Sequence, residues 1–121
     1  MKSQLGGVDP APLLQQAREL QALGYYVAAA TTARSALEAF VLTKCDQVAY
    51  LATSRRGWRM YGRIRALRDQ GIIEPEQAHF CFCVWLLGGS AAHGRPFDSQ
   101  SIASAIEGLA AIFAKGGSHE V

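Results

Sequence analysis

The stretch Tyr25–Leu51 reads YYVAAATTARSALEAFVLTKCDQVAYL. No proline occurs between Pro12 and Pro75, so nothing in this stretch forces a helix to break. Val27, Ala30, Leu37, Val41 and Val48 mark much of a buried stripe at helical spacing. Ala28, Ala29, Ala33, Ala36 and Ala39 are small, so a neighbouring helix can come close. One long helix is therefore predicted over about Tyr25–Leu51. The rest of the chain is also rich in Ala, Leu, Gln and Arg, with few alternating β-branched runs. The fold class is all-α.

Upstream, Asp9 is a suitable cap and Pro10 and Pro12 suit a first turn. Leu13, Leu14, Ala17, Leu20 and Leu23 recur at helical spacing before Gly24, a natural stop. A helix is predicted over Pro10–Leu23. Downstream, Ala52–Gly57 reads as a connection and Trp58–Gln70 as the next helix. Met60, Tyr61, Ile64 and Leu67 share one side of it, Arg59 and Arg63 the other, and Gly71 ends it. A fourth helix starts at Pro75, with Glu74 and Glu76 at its positive end, and runs through Leu87. Gly88-Gly89-Ser90 then imply either a helix break or very close backbone packing. A last helix begins at Asp98 or Ser99, carries Ile102, Ile106, Leu109 and Phe113, and ends at Lys115 before Gly116 and Gly117. Four to five helices with short connections make an up-and-down bundle. A length of 121 residues fits one domain over 1–121, with 1–8 and 117–121 expected to be flexible.

Half of the residues are hydrophobic and 18% are charged, which excludes a disordered chain. The longest apolar run, Phe80–Leu87, is far below the roughly 20 residues needed to span a bilayer. Nothing near the start reads as a signal peptide. Three cysteines make no disulfide framework. A soluble cytoplasmic protein with reduced thiols, away from membranes, is expected. Net charge is +2, unevenly spread. Ser54–Gln70 holds Arg55, Arg56, Arg59, Arg63, Arg65 and Arg68 against Asp69, a net +5, leaving −3 on the remainder. Arginine forks suit phosphate oxygens. A solvated helix face paired with acidic neighbours is the plainer account.

His79-x-Cys81-x-Cys83 puts His79 and Cys83 one turn apart, with Cys81 pointing elsewhere. A zinc site needs two more ligands, and no second pair is visible, so no metal is expected. Arg34 and Glu38, also one turn apart, make a pocket candidate. His93 follows the double glycine and could move protons or hold a phosphate, or be a hydrogen-bonded structural histidine. No phosphate loop, Ser-His-Asp order or carboxylate dyad stands out, and no cofactor is expected.

Three segments in fixed order carry a resemblance: Ala33–Phe40 (ARSALEAF), Tyr61–Ile73 (YGRIRALRDQGII) and Val84–Gly94 (VWLLGGSAAHG). Together they resemble an HEPN-like family often appended to restriction-type nucleases and helicases. Its members carry R-x-A-L-E, then a leucine-rich helix with a G-x-I stop, then I-R-x-x-G-N-x-A-A-H. The likeness spans about Ala30–Gly94. It implies a helical bundle that commonly forms homodimers. Many HEPN domains are metal-independent ribonucleases in which Arg and His meet at the dimer interface near the scissile phosphate, while others are RNA-binding or assembly modules. His93 matches the motif histidine, Ala91 and Ala92 the small residues before it, and Arg34 and Glu38 the second-helix pair. The motif arginine is Trp85 here and the asparagine is Gly89. In the shorter R-N-x-x-x-H form both polar positions are glycine, Gly88 and Gly89. No local arginine then stabilises charge developing on phosphorus, although Arg95 lies just beyond His93.

The leading expectation is thus a non-catalytic HEPN-like module, a homodimer that binds RNA or an acidic protein partner through Arg55, Arg56, Arg59 and Arg63. The first alternative is a ribonuclease using His93, with Ser90, Arg95, Arg34 and Glu38 as pocket candidates. The second is a purely structural oligomerisation domain.

Overall fold

Asp9 opens the first helix by accepting a hydrogen bond from the Ala11 N–H at 3.0 Å, which satisfies one of the donors that a helix start leaves bare. The computed structural model describes residues 9–48, 59–95 and 97–118. Five helices follow in order among the described residues: α1 (Pro10–Ala22), α2 (Tyr26–Gln47), α3 (Met60–Asp69), α4 (Pro75–Ala92) and α5 (Ser99–Ser118). No strand occurs among the described residues.

Three of these helices end alike. Gly24, Gly71 and Gly94 have φ of 86°, 74° and 71°, a left-handed turn that glycine adopts without steric cost. In each, the N–H after the glycine reaches back to the helix: Tyr25 to Leu20, Ile72 to Leu67, Arg95 to Ser90. This is the Schellman closure. Glu74 and Gln77 form a reciprocal capping box at the start of α4. Asp98 Oδ1 accepts from the Gln100 N–H at the start of α5.

Several boundaries differ from the sequence expectation. α2 stops at Gln47, where Val48 turns extended; Ala49–Leu51, the Ala52–Gly57 connection and Trp58 lie outside the described residues. α4 does not break at Gly88-Gly89-Ser90 but continues to Ala92. The open alternative, close packing, holds at Gly88, where an added Cβ would come within 2.5 Å of Arg34 Cβ. Gly116 and Gly117 do not end α5, which runs on to Ser118: glycine permits a left-handed exit without compelling one. Of the end segments expected to be flexible, 1–8 and 117–121, residues 1–8 and 119–121 lie outside the described residues, while Gly117 and Ser118 belong to α5.

The packing pairs define helix direction. Arg18 of α1 meets Glu107 of α5 at 3.4 Å, while Pro10 and Ala114 line one cavity, so α1 and α5 are antiparallel. Phe80 lies against Gly108 and Leu87 shares a cavity with Ser101, so α4 and α5 are antiparallel. Arg34 packs on Gly88 and Glu38 shares a cavity with Trp85, so α2 and α4 are antiparallel. The short turn between α3 and α4 and the Tyr61–Phe82 ring contact at 5.2 Å reverse the chain again. Alternation therefore holds through α1–α2 and through α3–α4–α5, while α2 and α3 point the same way.

Leu37, Val41, Ile64, Leu67, Cys81, Ile102, Ile106 and Leu109 are fully buried. Each large aliphatic among them contributes roughly 1.5–3 kcal/mol. Ala17, Ala29, Ala33 and Ala36 are buried as well, and their small size lets α1 and α2 come together. Two expected stripe members fall outside the core. Val27 is 50% exposed and Leu23 71% exposed, both beside the α1–α2 connection. Tyr61 is also exposed, at 38%, resting on Phe82 rather than entering the core.

Candidate functional site

The sequence offered Arg34 and Glu38 as one candidate pair and the α3 arginines as another. The structure brings them to one place, around Trp85 of α4. The Arg34 guanidinium carbon lies 3.7 Å from the centre of the Trp85 ring, a cation–π contact. Gly88, one turn further along α4, makes it possible: with no side chain there, the aliphatic part of Arg34 lies directly on the α4 backbone. Arg34 Nε is buried with no hydrogen-bond partner, so the ring face replaces part of the hydration that the guanidinium has lost.

Trp85 also lines a cavity of about 520 Å³ among α2, α3 and α4, together with Glu38, Leu42, Arg59, Tyr61 and Arg63. Arg59 is exposed at the start of α3, and Arg63, one turn on, is half-buried. The expectation that both simply face away from the apolar side is thus corrected: they edge a cleft whose other walls are Trp85, Tyr61, Met60, Leu42 and Glu38. No ion pair joins Arg34 to Glu38 among the described residues. Arg55 and Arg56 lie outside the described residues.

The remaining candidates lie elsewhere. His93 is the C-cap of α4 and is exposed, as is Arg95. His93 stands eight residues beyond Trp85, roughly 12 Å along the helix axis. Ser90 lines a different cavity, of about 400 Å³, between α4 and α5, beside Cys83, Leu86, Gln100 and Ser104.

The cysteines separate by burial. Burial pushes the Cys81 thiol up to about 12. It also pushes Cys45 up to about 11; the Arg63 guanidinium opposes that rise and Asp46 adds to it. Both thiols are protonated and inert near neutral pH. Cys83 is exposed, with its sulfur 3.7 Å from His79 Nε2. No group of three or more metal-ligating side chains occurs among the described residues. None of their helices is long and apolar enough to cross a membrane.

Two features escaped the sequence reading. Trp85 was noticed only as a departure from a motif, because nothing local shows which ring a helix neighbour will cover. Lys44 is 9% exposed, its Nζ 5.9 Å from the Phe40 ring, beside a cavity of about 420 Å³ with Arg18 and Phe113. A single lysine in an apolar helix face gives no warning of burial. No family model, curated protein or solved structure matches this chain.

Proposed function

We propose that the protein is a non-catalytic, HEPN-like cytoplasmic module that binds single-stranded RNA in the cleft around Trp85 and acts as a homodimer. The observation that carries this reading is the joint placement of Trp85, Tyr61, Arg59 and Arg63 at one cleft, with Arg34 lying on the Trp85 ring. Single-stranded nucleic acid is held by aromatic rings on which bases stack and by cations that follow the phosphates. The cleft offers both within a cavity of about 520 Å³.

One feature favours binding over cleavage. Phosphodiester cleavage by an Arg–His pair needs both at one phosphate position. Within one chain, Arg34, Arg59 and Arg63 gather at Trp85, while His93 sits roughly 12 Å further along α4 at an exposed helix end. The order of the three motif segments supports the HEPN-like relationship, and the homodimer follows from it.

The test is fluorescence anisotropy with a labelled single-stranded RNA across a salt series. Each phosphate neutralised on a single strand contributes a slope of about −0.7 in log affinity against log salt. Arg59→Ala and Arg63→Ala should each flatten the slope by about 0.7, whereas Arg18→Ala, on the opposite side of the bundle, should leave it unchanged. Salt-independent or absent binding refutes the proposal and favours an acidic protein partner. Cleavage that depends on His93 revives the ribonuclease.

A further inference from the structure

α4 is apolar on every side. Of Pro75–Ala92 only Glu76 carries a formal charge, and a helix of that kind is normally covered all round. Here α2, α3 and α5 cover part of it, yet His79, Cys83, Leu86 and His93 are exposed and Ser90 is half-exposed, with Leu86 at 57%. These five positions are spaced four, three, four and three, the interval of a helix–helix seam. A twofold axis presents the same patch from both copies, and this seam brings no like formal charges together. A second copy of the chain therefore fits it.

One end of the seam carries metal-ligand chemistry. His79 Nε2 and Cys83 Sγ are 3.7 Å apart on the exposed face. A zinc ion binds imidazole nitrogen at about 2.0–2.1 Å and thiolate sulfur at about 2.3 Å in a tetrahedron. Those lengths put neighbouring nitrogen and sulfur ligands roughly 3.5 Å apart. His79 and Cys83 thus already span one edge of such a tetrahedron. One chain offers two ligands where a closed site needs four, and a twofold axis through the ion supplies the same two again. Cys81, two residues away, points into the core and contributes nothing.

We propose that His79 and Cys83 form half of a zinc site that two copies of the chain complete, with their α4 helices side by side and parallel about the twofold axis. Binding displaces one proton from each Cys83 thiol. The assembly is two histidines and two cysteines around one ion, with apolar packing extending toward Leu86. It shares only the dimeric state with the RNA-binding reading, and either can fail while the other stands.

The experiment uses the full chain, stripped of metal and kept reduced with a non-thiol phosphine. Zinc or cobalt(II) is added while light scattering reports mass and absorbance reports cobalt. The expected result is one ion per two chains, a thiolate-to-cobalt charge-transfer band and the intense visible bands of tetrahedral cobalt. Zinc should tighten dimerisation by about tenfold or more through mass action. His79→Ala and Cys83→Ser should each abolish metal-dependent dimerisation, while helicity and thermal midpoint stay unchanged because both side chains are exposed. Uptake of one ion per monomer, or no uptake, overturns the proposal. A dimer indifferent to chelator and to both substitutions overturns the zinc site while leaving the homodimer of the RNA-binding reading intact. A dimer that appears only without reductant is a Cys83 disulfide and overturns it as well.

Discussion

Replacing Gly88 by alanine and, separately, Gly89 by alanine puts the same methyl group at adjacent positions of one helix, with opposite expected results. At Gly88 the new Cβ would stand 2.5 Å from Arg34 Cβ, 2.8 Å from its Cδ and 3.0 Å from its Cγ. Arg34 Cβ is fixed to the α2 backbone, so a rotamer change cannot relieve the first contact and the two helices must part. Overpacking of this kind costs about 1–3 kcal/mol. Alanine's better helix propensity returns up to about 1 kcal/mol, leaving a net loss of roughly 0–2 kcal/mol. At Gly89 nothing lies within 4 Å of the added Cβ, so the propensity gain of up to about 1 kcal/mol stands alone. The variants should differ by about 1–3 kcal/mol, or about 4–12 °C in thermal midpoint for a chain this size. Circular dichroism melts of the two proteins side by side, repeated in urea, read the difference directly. Adding Arg34→Ala should recover only part of the Gly88→Ala loss, since the alanine keeps the Cβ. If Gly88→Ala melts at or above Gly89→Ala, the close approach of α2 and α4 that places Arg34 on Trp85 is wrong.

Two further predictions concern burial and capping. Cys45 and Cys81, ordinarily near 9.0, are raised to about 11 and about 12 in the folded protein, so the folded state holds these protons more tightly than the unfolded one. Their stabilising contribution is fully present below pH 9 and is lost as pH rises through about 11–12; urea midpoints measured between pH 8 and 11 should fall, and less so in Cys81→Ala after correction for its cavity. Glu74→Ala removes the capping box of α4 and the exposed Lys115–Glu74 ion pair at 3.2 Å. It should cost about 0.5–2 kcal/mol, nearly all from the cap, so the loss measured in urea should persist in high salt.

The helices were legible where a residue's own chemistry decides the backbone. Asp9, Pro10 and Pro75 mark helix starts because capping and a fixed φ act locally. Gly24 and Gly71 mark ends because glycine takes the left-handed turn of a helix exit without steric cost. The same logic left Gly88 open between a break and close packing, and it misled at Gly116. Gly88 stays helical because Arg34 of another helix occupies the space a side chain would need. That requirement is set across the bundle, and sequence alone does not tell a glycine that turns a chain from one that admits a neighbour. Val27 and Leu23 show the converse limit: their spacing is that of a buried stripe, but exposure depends on how far the partner helices extend.

The candidate site was legible in pieces and not as a whole. Periodicity assigns faces one helix at a time, so Arg34 and Glu38 read as a pair within α2, and Arg59 and Arg63 as the outer face of α3. Their meeting follows from α2 and α3 pointing the same way with α4 antiparallel to both, a relation set by packing far apart in sequence. Trp85 joins the two groups because α4 presents it to both neighbours: Arg34 lies on its ring while Arg59 and Arg63 share its cavity. The orphaned Nε of Arg34 is itself closed off from solvent, so the cation meets the Trp85 ring in place of water and the contact joins α2 to α4 beside Gly88. Trp85 is thus the residue around which Arg34, Arg59 and Arg63 gather.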